Sequence, residues 1–244
     1  MKKAAPITPP LLECRELPAF TADNLNAVHA AFRLASGCFL CQAWQSAPEP
    51  DLALGYVSVG WRKNSLLVFA ELADADIFTR ATAHNQRMWE LGDTFEIFLQ
   101  PEDSGNYVEF HITPDNWRLQ LCFPDTAALR RAQAANVFDG FLLPDGVFRS
   151  HVWTQPEYRR WFVYAEIPAA SVSGMSESLA ESRWRFSFSR YDHIRGRRAQ
   201  ILSSTSPHPV PDFHRREDWG TLRFVPAAKV SKIVKPQAQI YETA

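Results

Sequence analysis

Runs in which every second residue is apolar recur through the middle of this chain, and that spacing constrains its fold more than any other feature. A strand points successive side chains to opposite faces, so period-two runs specify half-buried strands rather than helices. Phe95, Ile97 and Leu99 alternate with Thr94, Glu96 and Phe98. Beyond a Pro101-Glu-Asp-Ser-Gly-Asn106 turn, Val108, Phe110 and Ile112 alternate with Tyr107, Glu109 and His111. Trp117, Leu119, Leu121 and Phe123 then alternate with Arg118, Gln120 and Cys122. Further strands are expected at Leu66–Leu72, Trp161–Ile167, Trp184–Tyr191 and Thr221–Val225. Pro, Gly and Asp/Asn/Ser clusters separate them, as a meander or sandwich requires.

Helical spacing is scarce. Short helices are expected at Asp23–Arg33 and Asp125–Ala135, with a third near Ser173–Ala180. The pattern predicts an all-β fold: an antiparallel β-sandwich, immunoglobulin- or jelly-roll-like, with a few short helices. At 244 residues the chain reads as a single domain over residues 1–226, with 227–244 as a tail or an edge strand.

Charge narrows the partners. Twenty-six Lys and Arg against 27 Asp and Glu leave a net charge of −1, which recommends neither nucleic acid nor an anionic membrane. The one basic cluster, Arg195-Gly196-Arg197-Arg198, could grip phosphate but in so neutral a chain reads first as a solvated loop. Met1-Lys2-Lys3 precedes no apolar stretch of signal-peptide length, so the chain reads as cytoplasmic. A secreted chain trimmed of its leader would read the same. Cys38 and Cys41 form a CxxC on an expected strand, where positions three apart face opposite ways and cannot share a metal. With Cys14 and Cys122 they read as reduced, buried residues.

The hairpin at 94–112 concentrates the chemistry. Pairing Leu99 with Val108 sets Glu96 opposite His111, with Glu109 on the same face. The next strand is expected to add Arg118 and Gln120 to that polar face, leaving Ile97, Phe110, Ile112, Leu119 and Leu121 to the core. Such a face is either a solvated surface with ion pairs or a platform that hydrogen-bonds a hydroxyl-rich ligand, with Trp89 beside it to stack on a ring. Glu96 and Glu109 are also the best carboxylate pair for glycoside hydrolysis, which needs separations of about 5–5.5 Å or about 6.5–9.5 Å. Haem ligation would have to use Met88, His111 or Met175.

Four ordered strings carry a family resemblance. Trp89-Glu-Leu-Gly-Asp93-Thr-Phe-Glu-Ile-Phe-Leu-Gln-Pro101 resembles the central motif of carbohydrate-binding module family 9, and Asn106-Tyr-Val-Glu-Phe-His-Ile-Thr-Pro114 its next strand. Trp184-Arg-Phe-Ser-Phe-Ser-Arg-Tyr-Asp192 and Phe213-His214 through Trp219-Gly220-Thr-Leu-Arg-Phe224 resemble its later strands. Together they span about residues 55–225. The resemblance implies a DOMON-like β-sandwich, a group that binds sugars or haem. It implies a noncatalytic role with a mono- or oligosaccharide as partner. By the same resemblance Trp89 is an aromatic wall of the sugar slot and Glu90 a neighbouring acceptor. His111 supplies a polar contact, as does Arg118 on the adjoining strand. Arg190 is either a ligand contact or an ion pair with Glu96, Asp93 or Asp192. The family's second slot Trp has no counterpart in Leu202–His214: either His208, Phe213 or His214 substitutes for it, or the slot is open and the sugar function lost. Some members hold structural calcium, but no loop here clusters carboxylates to match, so no cofactor is expected and the metal is left open.

Overall fold

The computed structural model describes residues 8–174 and 178–226. The possible tail at 227–244 and the haem candidate Met175 lie outside the described residues. In chain order the elements are β1 (Leu11–Glu16), α1 (Leu25–Phe32), β2 (Ser36–Phe39), β3 (Gly55–Arg62), β4 (Ser65–Ala73), α2 (Met88–Leu91), β5 (Thr94–Pro101) and β6 (Tyr107–Ile112). They continue with β7 (Arg118–Phe123), α3 (Thr126–Ala135), β8 (Arg149–Gln155), β9 (Arg160–Pro168), α4 (Ala170–Ser173), β10 (Arg183–Asp192), β11 (Ile201–Ser204) and β12 (Gly220–Val225).

One hydrogen-bonded sheet runs β7-β6-β5-β10-β12-β1-β3-β4-β9-β8, with β11 added to β10 and β2 to β3. It curls so that two leaves face each other. Phe95, Ile97, Phe110, Ile112, Phe186 and Phe188 from one leaf meet Val59, Val68, Ala70, Trp161, Val163 and Ile167 from the other in a single apolar core. The all-β expectation holds, with one amendment: β1 runs parallel to both β12 and β3, so the sheet is mixed rather than wholly antiparallel.

The helices are short and capped as their sequences direct. Asn24 Oδ1 accepts the Ala27 N–H at 3.1 Å, and Asp125 Oδ1 accepts the Ala128 N–H at 2.6 Å, each satisfying an otherwise orphaned donor of the first turn. The third helix lies earlier than expected, at Ala170–Ser173, where Gly174 in the left-handed region ends it. Residues 178–180 are not helical.

Cys14 is buried, whereas Cys38, Cys41 and Cys122 are only half-buried, and all four are free thiols. Burial, then the neighbouring Cys41, push the Cys38 thiol up to about 12, so it stays protonated at neutral pH.

The hairpin register matches the sequence reading: Leu99 pairs with Val108 and Glu96 with His111. The third strand does not. His111 pairs with Leu119 and Glu109 with Leu121, while Arg118 pairs with Ile112 and Gln120 with Phe110. Directly paired residues share a face, and a shift of one residue inverts the whole strand. The turn from Thr113 to Trp117, with Asn116 at φ 61°, sets that parity. Leu119 and Leu121 therefore join the Glu96–His111 face, and Arg118 and Gln120 turn to the other.

Candidate functional site

The outer face of the β5–β6–β7 leaf carries the titratable groups, and it is not open to solvent. α3 and the segment from Thr205 to Trp219 cover it, building a second apolar cluster from Phe98, Tyr107, Leu119, Leu121, Phe123, Leu129, Phe213 and Trp219. Beneath this cover lies a cavity of about 200 Å³. Its lining includes Trp89, Glu90, Glu96, Glu109, His111, Tyr191 and His214, with Leu121, Leu129, Gln133, Asn136 and Phe138 contributed by β7, α3 and the turn that follows.

The charges form a chain. His111 Nδ1 lies 2.9 Å from Glu96 Oε1, and His111 Nε2 lies 3.3 Å from Glu109 Oε2. The other Glu109 oxygen lies 3.0 Å from His214 Nδ1. The Glu96, Glu109 and His111 side chains are each 3% exposed. Burial alone would raise the Glu109 carboxyl, but the charge of His214 and the bond from His111 overcome it and hold Glu109 at about 2. Burial likewise opposes charge on His111, and Glu96 and Glu109 together overcome it, raising the imidazole to about 9. His214 is raised for the same reason, with Glu109 outweighing burial. Two imidazole rings that favour the proton thus alternate along the chain with the side chains of Glu96 and Glu109. The angles leave Glu109 Oε1 and His111 Nδ1 with ion contacts rather than aligned hydrogen bonds, so a carboxylate acceptor beside the cavity retains unspent capacity.

Trp89 reaches this cavity because of the Gly-Asp that follows it. Gly92 sits at φ 152°, and a Cβ there would fall 2.6 Å from the Phe78 carbonyl oxygen and from Thr79 Cα, so only glycine lets the two segments pack. Asp93 then clamps two loops: its carboxylate accepts the Phe78 N–H at 2.7 Å and the His193 N–H at 2.8 Å. His193 Nε2 in turn bonds the Trp89 carbonyl at 3.0 Å. The half-buried Trp89 ring packs 5.5 Å from His111 and meets Phe138 edge-on at 5.8 Å. Arg87 ties the cover down, donating to the Asn136 carbonyl and lying over the Phe138 ring.

Of the expected site residues, Trp89, Glu90, His111, Glu96 and Glu109 come together. Glu90 stands at the rim, its side chain 55% exposed and paired with Arg87 at 3.5 Å. Three others go elsewhere. Arg118, inverted by the β7 register, points its guanidinium at the Phe148 ring and carbonyl. Arg190 pairs with Phe95 on the inner face and is 1% exposed. It donates to the Ala73 carbonyl at 2.6 Å and Asp74 at 2.8 Å, and contacts Asp192 at 3.2 Å; of its expected partners only Asp192 is one. His208 is fully buried, 3.3 Å from Asp218, with burial lowering its affinity for a proton. The haem candidates fare no better: Met88 is buried in the second apolar cluster, and both His111 nitrogens face carboxylates.

Asp74, Asp93 and Asp192 converge within 4.8 Å, a cluster hidden from the sequence by the distance between its members. Its chemistry does not fit calcium. Arg190 occupies the space between Asp74 and Asp192, the Trp161 indole donates to Asp74 Oδ2, and both Asp93 oxygens take backbone N–H groups. Burial, then the Asp74 charge, push Asp93 up to about 8, which reduces the negative charge that Arg190 must balance. The residues missed by sequence reasoning were His214 as a member of the charge chain and the α3 lining, Gln133, Asn136 and Phe138.

No sequence-family model matches the chain, and no curated protein matches it by sequence. Solved structures do match its fold. A candidate carbohydrate-binding protein from Bacteroides uniformis superposes with a TM-score of 0.68 at 16% identity, covering 88% of this chain and 98% of that one. A family 9 carbohydrate-binding module from Caldicellulosiruptor kristjanssonii, in complex with cellotriose, gives 0.60 at 11% identity over 96% of this chain and all of the module. A module of the same family and organism, in complex with glucose, gives 0.59 at 13% identity over 92% of this chain and all of that one. The fold is that of family 9 carbohydrate-binding modules.

Proposed function

We propose that this family-9-type sandwich is a noncatalytic saccharide-binding module whose ligand occupies the cavity beside Trp89. The observation that carries the reading is the Glu96–His111–Glu109–His214 chain, buried yet lining a hollow with an indole for a wall. A sugar ring presents an apolar face to the indole and hydroxyls to the charges, and a pyranose needs both. The similar modules in complex with cellotriose and with glucose support the same ligand class. A volume of about 200 Å³ falls below the roughly 300–1,000 Å³ of drug-sized pockets, so the cavity suits one sugar ring rather than a chain. Stacking and charge-assisted hydrogen bonds at about 1–3 kcal/mol each place the expected affinity between micromolar and millimolar.

The geometry gives hydrolysis no comparable support. A general acid must hold a proton at working pH, whereas Glu109 is kept at about 2 and both carboxylates are engaged by the imidazole between them. Isothermal titration against mono- and oligosaccharides tests the proposal, repeated with Trp89→Ala. Binding that weakens about tenfold or more in the variant supports it. Silence across a broad panel, or an unaltered Kd in Trp89→Ala, overturns it.

A further inference from the structure

A second hollow, of about 520 Å³, adjoins the cavity and shares Trp89 and Glu90 with it. Phe78, Arg80, His193, Arg195, Arg197 and Arg198 complete most of its lining. Four guanidinium groups thus face one carboxylate, in a chain whose net charge is −1. That carboxylate, Glu90, is already paired with Arg87.

The four arginines are not equivalent. Arg195 is held by Asp76 at 2.6 Å, and Arg197 by Glu49 at 2.6 Å and Asp51 at 3.0 Å. None of those three carboxylates lines the hollow, so they aim the guanidinium groups without filling it. Arg80 has no carboxylate partner among the described residues. Its NH2 donates at 3.0 Å to the Glu90 carbonyl and its Nε at 3.4 Å to the Leu91 carbonyl, on the turn that carries Trp89. Those bonds fix its position and leave its charge unneutralised. Arg198 has no hydrogen bond or ion pair among the described residues. Two uncompensated cations, one rigid and one free to swing, therefore border a hollow that adjoins the proposed sugar cavity.

We infer that the Arg80–Arg198 hollow is a subsite for the anionic group of an acidic saccharide, whose ring lies against Trp89 and whose carboxylate meets the guanidinium groups. The inference rests on the saccharide reading and narrows it to sugars of the uronic-acid type. A planar guanidinium matches a carboxylate in geometry as well as charge.

Titration of the full chain with glucuronic and galacturonic acids and their oligosaccharides, beside the neutral parent sugars, is the test. Uronates binding about tenfold or more tightly than neutral sugars, with the advantage shrinking at high salt, are expected. Arg198→Gln should erase most of that advantage while leaving neutral-sugar affinity unchanged, and Arg80→Gln provides a second variant. Equal affinity for both classes, or an advantage that survives both substitutions, overturns the inference and leaves the saccharide reading standing. No binding of any sugar overturns both. Inorganic phosphate that binds the hollow while uronates show no preference also overturns it, by making the hollow a free-anion site.

Discussion

Glu96 and His111 stand directly opposite each other on β5 and β6, and their side chains meet at 2.9 Å with almost no access to solvent. With Glu109 on the far side of the ring, one imidazolium serves two buried carboxylates. His111→Leu removes that cation and leaves both anions without it. A loss of about 3–5 kcal/mol in unfolding free energy is expected from urea denaturation. A loss under about 1 kcal/mol would mean that the carboxylates find water or protons instead.

Stability should peak well below neutral pH. His111 is raised from 6.5 to about 9, so its contribution is complete below about 6.5 and disappears as pH climbs through 9. Asp93, raised from 3.8 to about 8, acts in the same direction: its folded form favours the proton, and stability falls as pH rises between those values. Glu109 is lowered from 4.5 to about 2, so its contribution is present above about 4.5 and lost as pH falls toward 2. Tm measured across pH should therefore be highest near pH 4, where the loss from Glu109 on the acid side balances the loss from Asp93 on the basic side, and decline on both sides. A profile still rising at pH 8 would contradict these assignments.

Gly92→Ala tests the clamp that positions Trp89. The added methyl meets the Phe78 carbonyl oxygen and Thr79 Cα, both backbone atoms, at a φ that side chains rarely adopt. A destabilisation of about 1–3 kcal/mol is expected. Part of the response should be displacement of the α2 turn, visible as a changed Trp fluorescence and weaker saccharide binding in the folded variant.

Arg190→Met separates structure from recognition. Arg190 reaches across between the leaves to Asp74, just past the end of β4, and does not itself line the cavity. Leaving Asp74 and Asp192 without their cation should cost about 3–5 kcal/mol. Protein that remains folded should bind saccharide with an unchanged Kd, and a selective loss of binding would return Arg190 to the site.

Much of this architecture was legible because alternation is a local signal. β6 begins and ends where its apolar pattern does, and the Glu96–His111 pairing follows from a turn whose length the sequence displays. β7 escaped because its register depends on the parity of the preceding turn, which Asn116 sets through its left-handed backbone. The buried state of Glu96, Glu109 and His111 escaped for another reason. A charged face reads as solvated until something covers it, and the cover comes from α3 and from the Thr205–Trp219 segment, distant in sequence. Arg190 illustrates the same limit, since its partner Asp74 lies on the opposite leaf.

The placement of β1 governs how this chain can assemble. Leu11 and Thr221 are register partners, and the same short strand touches Gly60 and Trp61 on its other edge. β1 is thus the main seam through which the two leaves are hydrogen-bonded, beside the single Cys41–Ser204 bridge, and its larger partner is the last strand described. During synthesis it must wait, unpaired on that edge, until some two hundred residues have followed. Closure is consequently a late, long-range event with a large loop to bring together, and folding should be slow for the protein's size. Shortening the chain before Gly220 would strand the seam, leaving halves joined by little more than the single Cys41–Ser204 bridge.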